Sequence, residues 1–370
     1  MLTMMMLVIP DADPLPMPAP PWMLWSLLLL TFFLHLIAMN FVLGGSIITA
    51  VSRLTGGGED AAKLNRWLGK MMPTMVAAAI TFGVAPLLFL QALYGRLFFT
   101  SAILMGWFWF AVVPILIVAY YGTYTLAFRK NSSGGGAAWI AVVVALIFGA
   151  VAFIYSNNMT LMLRPESFLP LFLESARGIH LNLEDVTLIP RYLHMLLGAV
   201  AVAGFVVAVY GAVKVRSESE HGLWAMRRGA LWFVAATAIN VLTGIWWLGV
   251  LPREVMLRFM GRSPVATISL AAGIIAGFVA LYMMLSVVRS DRPRPLVMRS
   301  IWALLLTLVA MVVSRDEVRR GMLELAEFQT TTWIEPQWGV IAIFLSLLAG
   351  GVAATVWMAV VLLRSKPVAG

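Results

Sequence analysis

The chain has no cysteine at all, and that absence removes several chemistries at once. It excludes a disulfide framework, thiolate-bound iron–sulfur clusters and covalent c-type haem attachment. Charge is also scarce. Only 12% of the residues are Asp, Glu, Lys or Arg, whereas 61% are hydrophobic and the mean hydropathy is +0.92. No soluble domain of 370 residues has that balance, so the composition is that of a polytopic all-α membrane protein. Histidine is rare too, with four in the chain. Any metal-bearing cofactor must be held by His, Met or a carboxylate.

Windows of about 20 apolar residues predict nine spans, at 23–51, 71–94, 101–128, 138–156, 191–213, 229–251, 265–288, 297–313 and 338–363. The opening MLTMMMLVIPDADPLPMPAPPW lacks a basic start and a small-residue cleavage site, so it reads as an outer segment on the membrane surface. One set of alternate loops holds 16 of the 26 Lys and Arg with 5 acidic residues, a net +11; the other face has 10 basic and 12 acidic residues, a net −2. The positive-inside rule then puts the N-terminus outside and the C-terminus inside. The +9 overall charge is therefore a topology signal and carries no implication of nucleic acid. A bacterial inner membrane is the expected location.

Two of the four histidines fall inside spans, His35 in FFLHLIAMN and His194 in RYLHMLLGAV, while His180 and His221 fall in polar connections. A ring nitrogen in hydrocarbon is costly unless something binds it. At about 1.5 Å per residue, His35 is roughly 27 Å from Arg53 and His194 roughly 30 Å from Lys214. Both therefore lie near the outer edge of the core, at one depth. Haem iron is the first ligand to consider. An interhelical hydrogen bond is the plainer alternative for each, and Arg191 and Tyr192 beside His194 also suit an interfacial anchor. The 14 tryptophans, the 23 methionines and the glycine runs at 56–58 and 134–136 read as interface belts, gap fillers and linkers. Asn240, Pro86 and Pro114 line a cavity or set kinks.

With these residues in hand, the chain resembles subunit I of the cytochrome bd family of quinol oxidases. The likeness is carried by His35 with Gly44; Trp67, Gly69 and Lys70; Gly83, Val84 and Ala85; Asn157 and Asn158; Arg191, Tyr192 and His194; and Arg227, Arg228, Gly229 and Ala230. It runs from about residue 23 to 250. It implies nine helices arranged as two four-helix bundles plus one peripheral helix, with one or two b-type haems near the outer face. The resemblance makes His194 the axial ligand of the haem that receives electrons from quinol, and His35 an axial ligand in the first bundle.

The segments expected are an outer N-terminal stretch (1–22), a first bundle (23–156), an outer loop (157–190), a second bundle (191–313), an outer amphipathic segment (314–337), and a ninth helix with a cytoplasmic tail (338–370). In SRDEVRRGMLELAEF, charges at helical spacing predict a helix lying on the membrane, either solvated and salt-bridged or holding haem propionates. Arg315, directly after the apolar run, is the residue placed to reach a propionate.

The departures from the family matter equally. Gln91 stands where the resemblance implies a glutamate, and an amide supplies neither a carboxylate to iron nor an acid for proton transfer. Val312 stands where a second glutamate is expected before Arg315. Leu270 and Ala271 occupy the region of the family's methionine ligand, leaving the sixth ligand open. The connection LPREVMLRFMGRSP is too short for the family's quinol-binding loop.

The function expected is that of a membrane subunit in a respiratory complex, a haem b or quinone-linked electron conduit to an outer-face cytochrome c partner. Its partners are other membrane or periplasmic redox subunits, and terminal oxidase activity is not expected. The alternative is a haem-free scaffold that anchors peripheral redox subunits. A transporter ranks behind both, because the span centres hold almost no ionisable groups apart from the polar Asn240.

Overall fold

The computed structural model describes residues 16–128, 135–328 and 333–364. Most of the N-terminal surface segment, the loop residues 129–134 and the tail beyond 364 lie outside the described residues, so the expectations placed on them do too. Eleven helices follow in order: α1 (Pro21–Thr55), α2 (Gly58–Leu104), α3 (Gly106–Phe128), α4 (Gly135–Leu161), α5 (Phe168–Glu174), α6 (Leu188–Lys214), α7 (Ser219–Val250), α8 (Arg253–Leu257), α9 (Pro264–Arg289), α10 (Arg294–Leu325) and α11 (Trp338–Arg364). Among the described residues, eight helices are long and apolar enough to cross a membrane: α1 to α4, α6, α7, α9 and α10. Helix α11, in the ninth expected position, is apolar over Trp338–Ala354. The chain is a multi-pass, all-helical membrane protein.

Uninterrupted apolar sequence is what makes these helices, since backbone groups in hydrocarbon must be satisfied within the segment. Helices α1 to α4 pack around Phe41, Ile48, Leu68, Val76, Ala119 and Phe148, and α6, α7, α9 and α10 around Phe205, Met226, Phe233, Ala280 and Met284. The two groups meet along α1 and α6. There Gly44 lies so close to the Ala199 carbonyl that a Cβ would collide with it. The starts of α2 and α7 come together at one end, where Lys63 pairs with Glu218 at 3.8 Å.

Two elements run longer than hydropathy implies. Helix α2 continues past its expected span and kinks at Tyr94, whose φ of −134° and ψ of 28° leave helical space. Helix α10 does not stop at residue 313. It carries the charged run onward to Leu325, so residues 314–325 are not a separate helix, and Ser314, Asp316 to Arg319, Gly321 and Leu323 within them are buried. Asp316 is 1% exposed and Glu317 is 2% exposed. The helix persists because its acids are satisfied internally. Asp316 accepts from Trp25 Nε1 (2.6 Å), Arg319 (2.9 Å) and Arg320 (3.0 Å), while Glu317 accepts from Arg258 (3.0 Å) and Ser263 (3.1 Å). Buried charge is tolerated only with such pairing.

The connection from α4 to α6 is held by buried amides. Asn157 and Asn158 are fully buried, and Asn157 Oδ1 accepts from the Asn182 backbone at 2.9 Å. Asp185 then accepts from Asn182 Nδ2 (3.1 Å) and from the Thr187 backbone and hydroxyl (both 2.7 Å), which fixes the start of α6. Near the chain's start, Met17 and Ile334 form a short parallel bridge, with Met17 N donating to the Trp333 carbonyl at 2.9 Å.

Candidate functional site

His35 projects from α1 toward α2, where its Nδ1 lies 2.8 Å from the Ala79 carbonyl oxygen. His194 projects from α6 toward α7, where its Nδ1 lies 3.2 Å from the Asn240 carbonyl oxygen. A carbonyl only accepts, so each Nδ1 carries the proton and donates. Each Nε2 is left with its lone pair.

The same device makes room for both rings. Four residues after each accepting carbonyl comes a glycine, Gly83 on α2 and Gly244 on α7. A Cβ at Gly83 would stand 3.0 Å from the His35 ring, and one at Gly244 would stand 2.9 Å from the His194 ring. The repetition gives each half of the molecule its own imidazole, seated in a glycine notch on the neighbouring helix. Around His194, the Thr243 hydroxyl donates to Asn240 Oδ1 at 2.9 Å, and the Trp247 ring centroid lies 5.8 Å away. Around His35, Phe32 packs at 6.2 Å between centroids.

Cationic side chains gather beside the two imidazoles. The Arg315 guanidinium lies 4.2 Å over the Phe32 ring, and Arg191 lies 5.9 Å from the Trp247 centroid while donating to the Met159 carbonyl at 3.3 Å. Arg191 and Arg315 are within electrostatic range of each other and of Arg319. Arg191 Nε, Arg315 Nε and Trp247 Nε1 are all buried, with no hydrogen-bond partner among the described residues. Three unpaired donors in one layer are an unfilled demand for acceptor oxygens.

Gln91 is half-buried on α2, eight residues and about 12 Å beyond Gly83 along the helix axis. Among the described residues no three His, Asp or Glu side chains converge as a metal cage. Each histidine instead offers a single nitrogen, which is what a porphyrin iron takes from a protein on one side.

Sequence reasoning placed His221 in a polar connection, but it is a buried residue of α7. Its Nδ1 lies 2.8 Å from Asp60 Oδ1, its Nε2 lies 3.2 Å from the Tyr210 hydroxyl, and Trp224 stacks on it. Tyr210 in turn stacks on Trp67 at 4.1 Å. The sequence gives little signal for it, since its neighbours are Glu220 and Gly222 and its partner Asp60 is 161 residues away. His180 is likewise buried, its Nε2 lying 2.7 Å from the Ser175 carbonyl oxygen.

One comparison decides the fold. The bd oxidase from Geobacillus thermodenitrificans contains a chain that superposes with a TM-score of 0.71, covering 95% of this chain and 99% of that one. This chain has a bd oxidase fold. The sequences are only 13% identical, so what the two share is architecture. No sequence-family model and no curated protein matches this chain.

Proposed function

We propose that this chain binds haem b at His35 and His194 and serves as an electron-conducting, quinone-linked subunit of a respiratory complex in a bacterial inner membrane. The observation that carries the reading is the matched pair of imidazoles. Each has Nδ1 committed to a backbone carbonyl and Nε2 free, beside buried arginine donors that lack acceptors. The residues fit the group: a carbonyl-bound Nδ1–H orients an imidazole and raises the basicity of the other nitrogen. Arg191 and Arg315 supply charge-assisted donors for propionate carboxylates. Haem, when bound, supplies one-electron redox chemistry. The protein's part is to hold the rings in orientation, to keep water away with Phe32 and Trp247, and to place positive charge between the two halves.

The reaction assigned is electron transfer from the quinone pool to an outer-face cytochrome c, without oxygen reduction. Gln91 and Val312 support it, because both positions lack the acid that proton delivery to oxygen requires. The short α7–α9 connection, residues 251–263, further separates this chain from quinol oxidation by a long loop. The test is a quinol assay on the complex purified with its native partners. Reduction of an added cytochrome c without oxygen uptake is the expected result; rapid quinol-dependent oxygen consumption contradicts it.

A scaffold reading keeps one observation in its favour, since the two Nδ1 hydrogen bonds also tie α1 to α2 and α6 to α7. Such a chain would carry no visible absorption.

A further inference from the structure

We propose that the α7–α9 connection, with the end of α10, forms a binding site for a zwitterionic phospholipid headgroup, one that carries a phosphate and a primary ammonium. The connection is short but highly shaped. Helix α8 runs into a π-helical turn over Arg258–Arg262, where Gly261 takes a φ of 113°. Val255 and Phe259 anchor this segment in the core. Thr267 Oγ1 fixes the turn, donating to the Arg258 carbonyl at 3.2 Å and accepting from Gly261 N at 3.0 Å. Glu254, Arg258 and Arg262, spaced by four, then line a cavity of about 250 Å³ together with Gly321, Glu324 and Leu325 of α10. Gly321 keeps the wall thin, since a Cβ there would stand 2.9 Å from Arg258 Cδ.

The charges around this cavity are unequally used. Arg258 commits one Nη to Glu324 and the other to Glu317, the latter at 3.0 Å, so it is part of the wall. Arg262 and Glu254 are exposed, and neither side chain has a hydrogen bond or ion pair among the described residues. The cavity thus presents a free guanidinium and a free carboxylate on one turn. A simple anion would meet Glu254 and Glu324, and a simple cation would meet Arg262. A phosphate paired to the Arg262 fork, with an ammonium donating to Glu254, satisfies both.

The surroundings point to a lipid as the bearer of that headgroup. Met260 within the turn and Leu325 on the cavity wall are exposed apolar residues. On α9, Val265, Ile268 and Ile275 are exposed along one stripe that starts at the turn and runs down the span. Apolar side chains exposed along a membrane span are covered by acyl chains, so tails lying on α9 bring their headgroup to the cavity. Neither histidine takes part, so this inference is independent of haem.

The test is native mass spectrometry of the full chain with its native partners, in detergent supplied with phosphatidylethanolamine, phosphatidylcholine or phosphatidylglycerol. The proteins compared are wild type, Arg262→Gln, Glu254→Gln and Arg253→Gln. Both cavity side chains are exposed and unpaired, so neither substitution disturbs the fold. The wild type is expected to hold phosphatidylethanolamine about tenfold more tightly than the other two lipids, because glycerol brings no cation and choline no N–H donor. Arg262→Gln and Glu254→Gln each lose that preference, and Arg253→Gln, outside the cavity lining, keeps it. Equal retention of the three lipids, or a preference untouched by both cavity variants, overturns the proposal. Soluble glycerophosphoethanolamine is the last arm: displacement of the bound lipid at equal concentration would assign the site to a free zwitterion and overturn the part given to the tails.

Discussion

Trp25 Nε1 donates to Asp316 Oδ2 at 2.6 Å, joining the first turns of α1 to the last third of α10 across 291 residues of sequence. Around that bond Asp316 also holds Arg319 and Arg320, and Arg320 lies 3.7 Å over the Trp25 ring. A buried carboxylate with three donors is the reason a strongly charged helix end sits inside the protein. Removing the acid strands two arginines. Asp316→Ala is expected to cost about 3–5 kcal/mol and to lower the unfolding temperature in detergent, measured by intrinsic fluorescence. Trp25→Phe, which leaves the two ion pairs intact, is expected to cost only about 1 kcal/mol.

The glycine notches make a sharper claim about the imidazoles. Gly83→Ala and Gly244→Ala each put a methyl group about 3 Å from a histidine ring, so the ring must turn away from its carbonyl. Each substitution is expected to lower haem content while leaving membrane insertion unchanged. Gly339→Ala, at a position with open space around its Cβ, is the matched control. Equal haem in all three variants would contradict the notch argument.

Arg315 is expected to tune potential. A cation buried near His35 favours the reduced, less positive state of a haem there. Arg315→Leu should therefore lower the midpoint potential of the His35-dependent component by roughly 60 mV, the one-electron equivalent of about 1.4 kcal/mol. A potentiometric titration of the alpha band checks the sign and the size.

His221 is expected to behave differently from His35 and His194. It bridges Asp60 on α2 and Tyr210 on α6, at the end of the molecule remote from Arg191 and Arg315. His221→Ala leaves two polar groups unpaired and is expected to cost about 1–3 kcal/mol of stability. Its visible spectrum should match the wild type, whereas a spectral change would place His221 in the cofactor machinery.

Much of the architecture was readable from hydropathy alone, because hydrocarbon demands long apolar helices and little else makes them. The membrane class, the all-helical fold and the bd-like resemblance all appear in the structure. The two span histidines stood out for the same reason, as polar rings where polarity is costly. The end of α10 was not readable. Its charges look like a solvated surface helix until Trp25 and Arg258, 291 and 59 residues away, are brought to them. Asn157 and Asn158 were legible as a motif, but the work of Asn157 as the anchor of the 182–187 turn needed coordinates.

The most direct test of the account is a dithionite-reduced minus oxidised spectrum, with pyridine haemochrome quantitation, of the chain purified with its partners as wild type, His35→Ala and His194→Ala. The account predicts a b-type signal that falls stepwise as each histidine is removed. A wild-type preparation without visible absorption, or haem content untouched by either substitution, would contradict it.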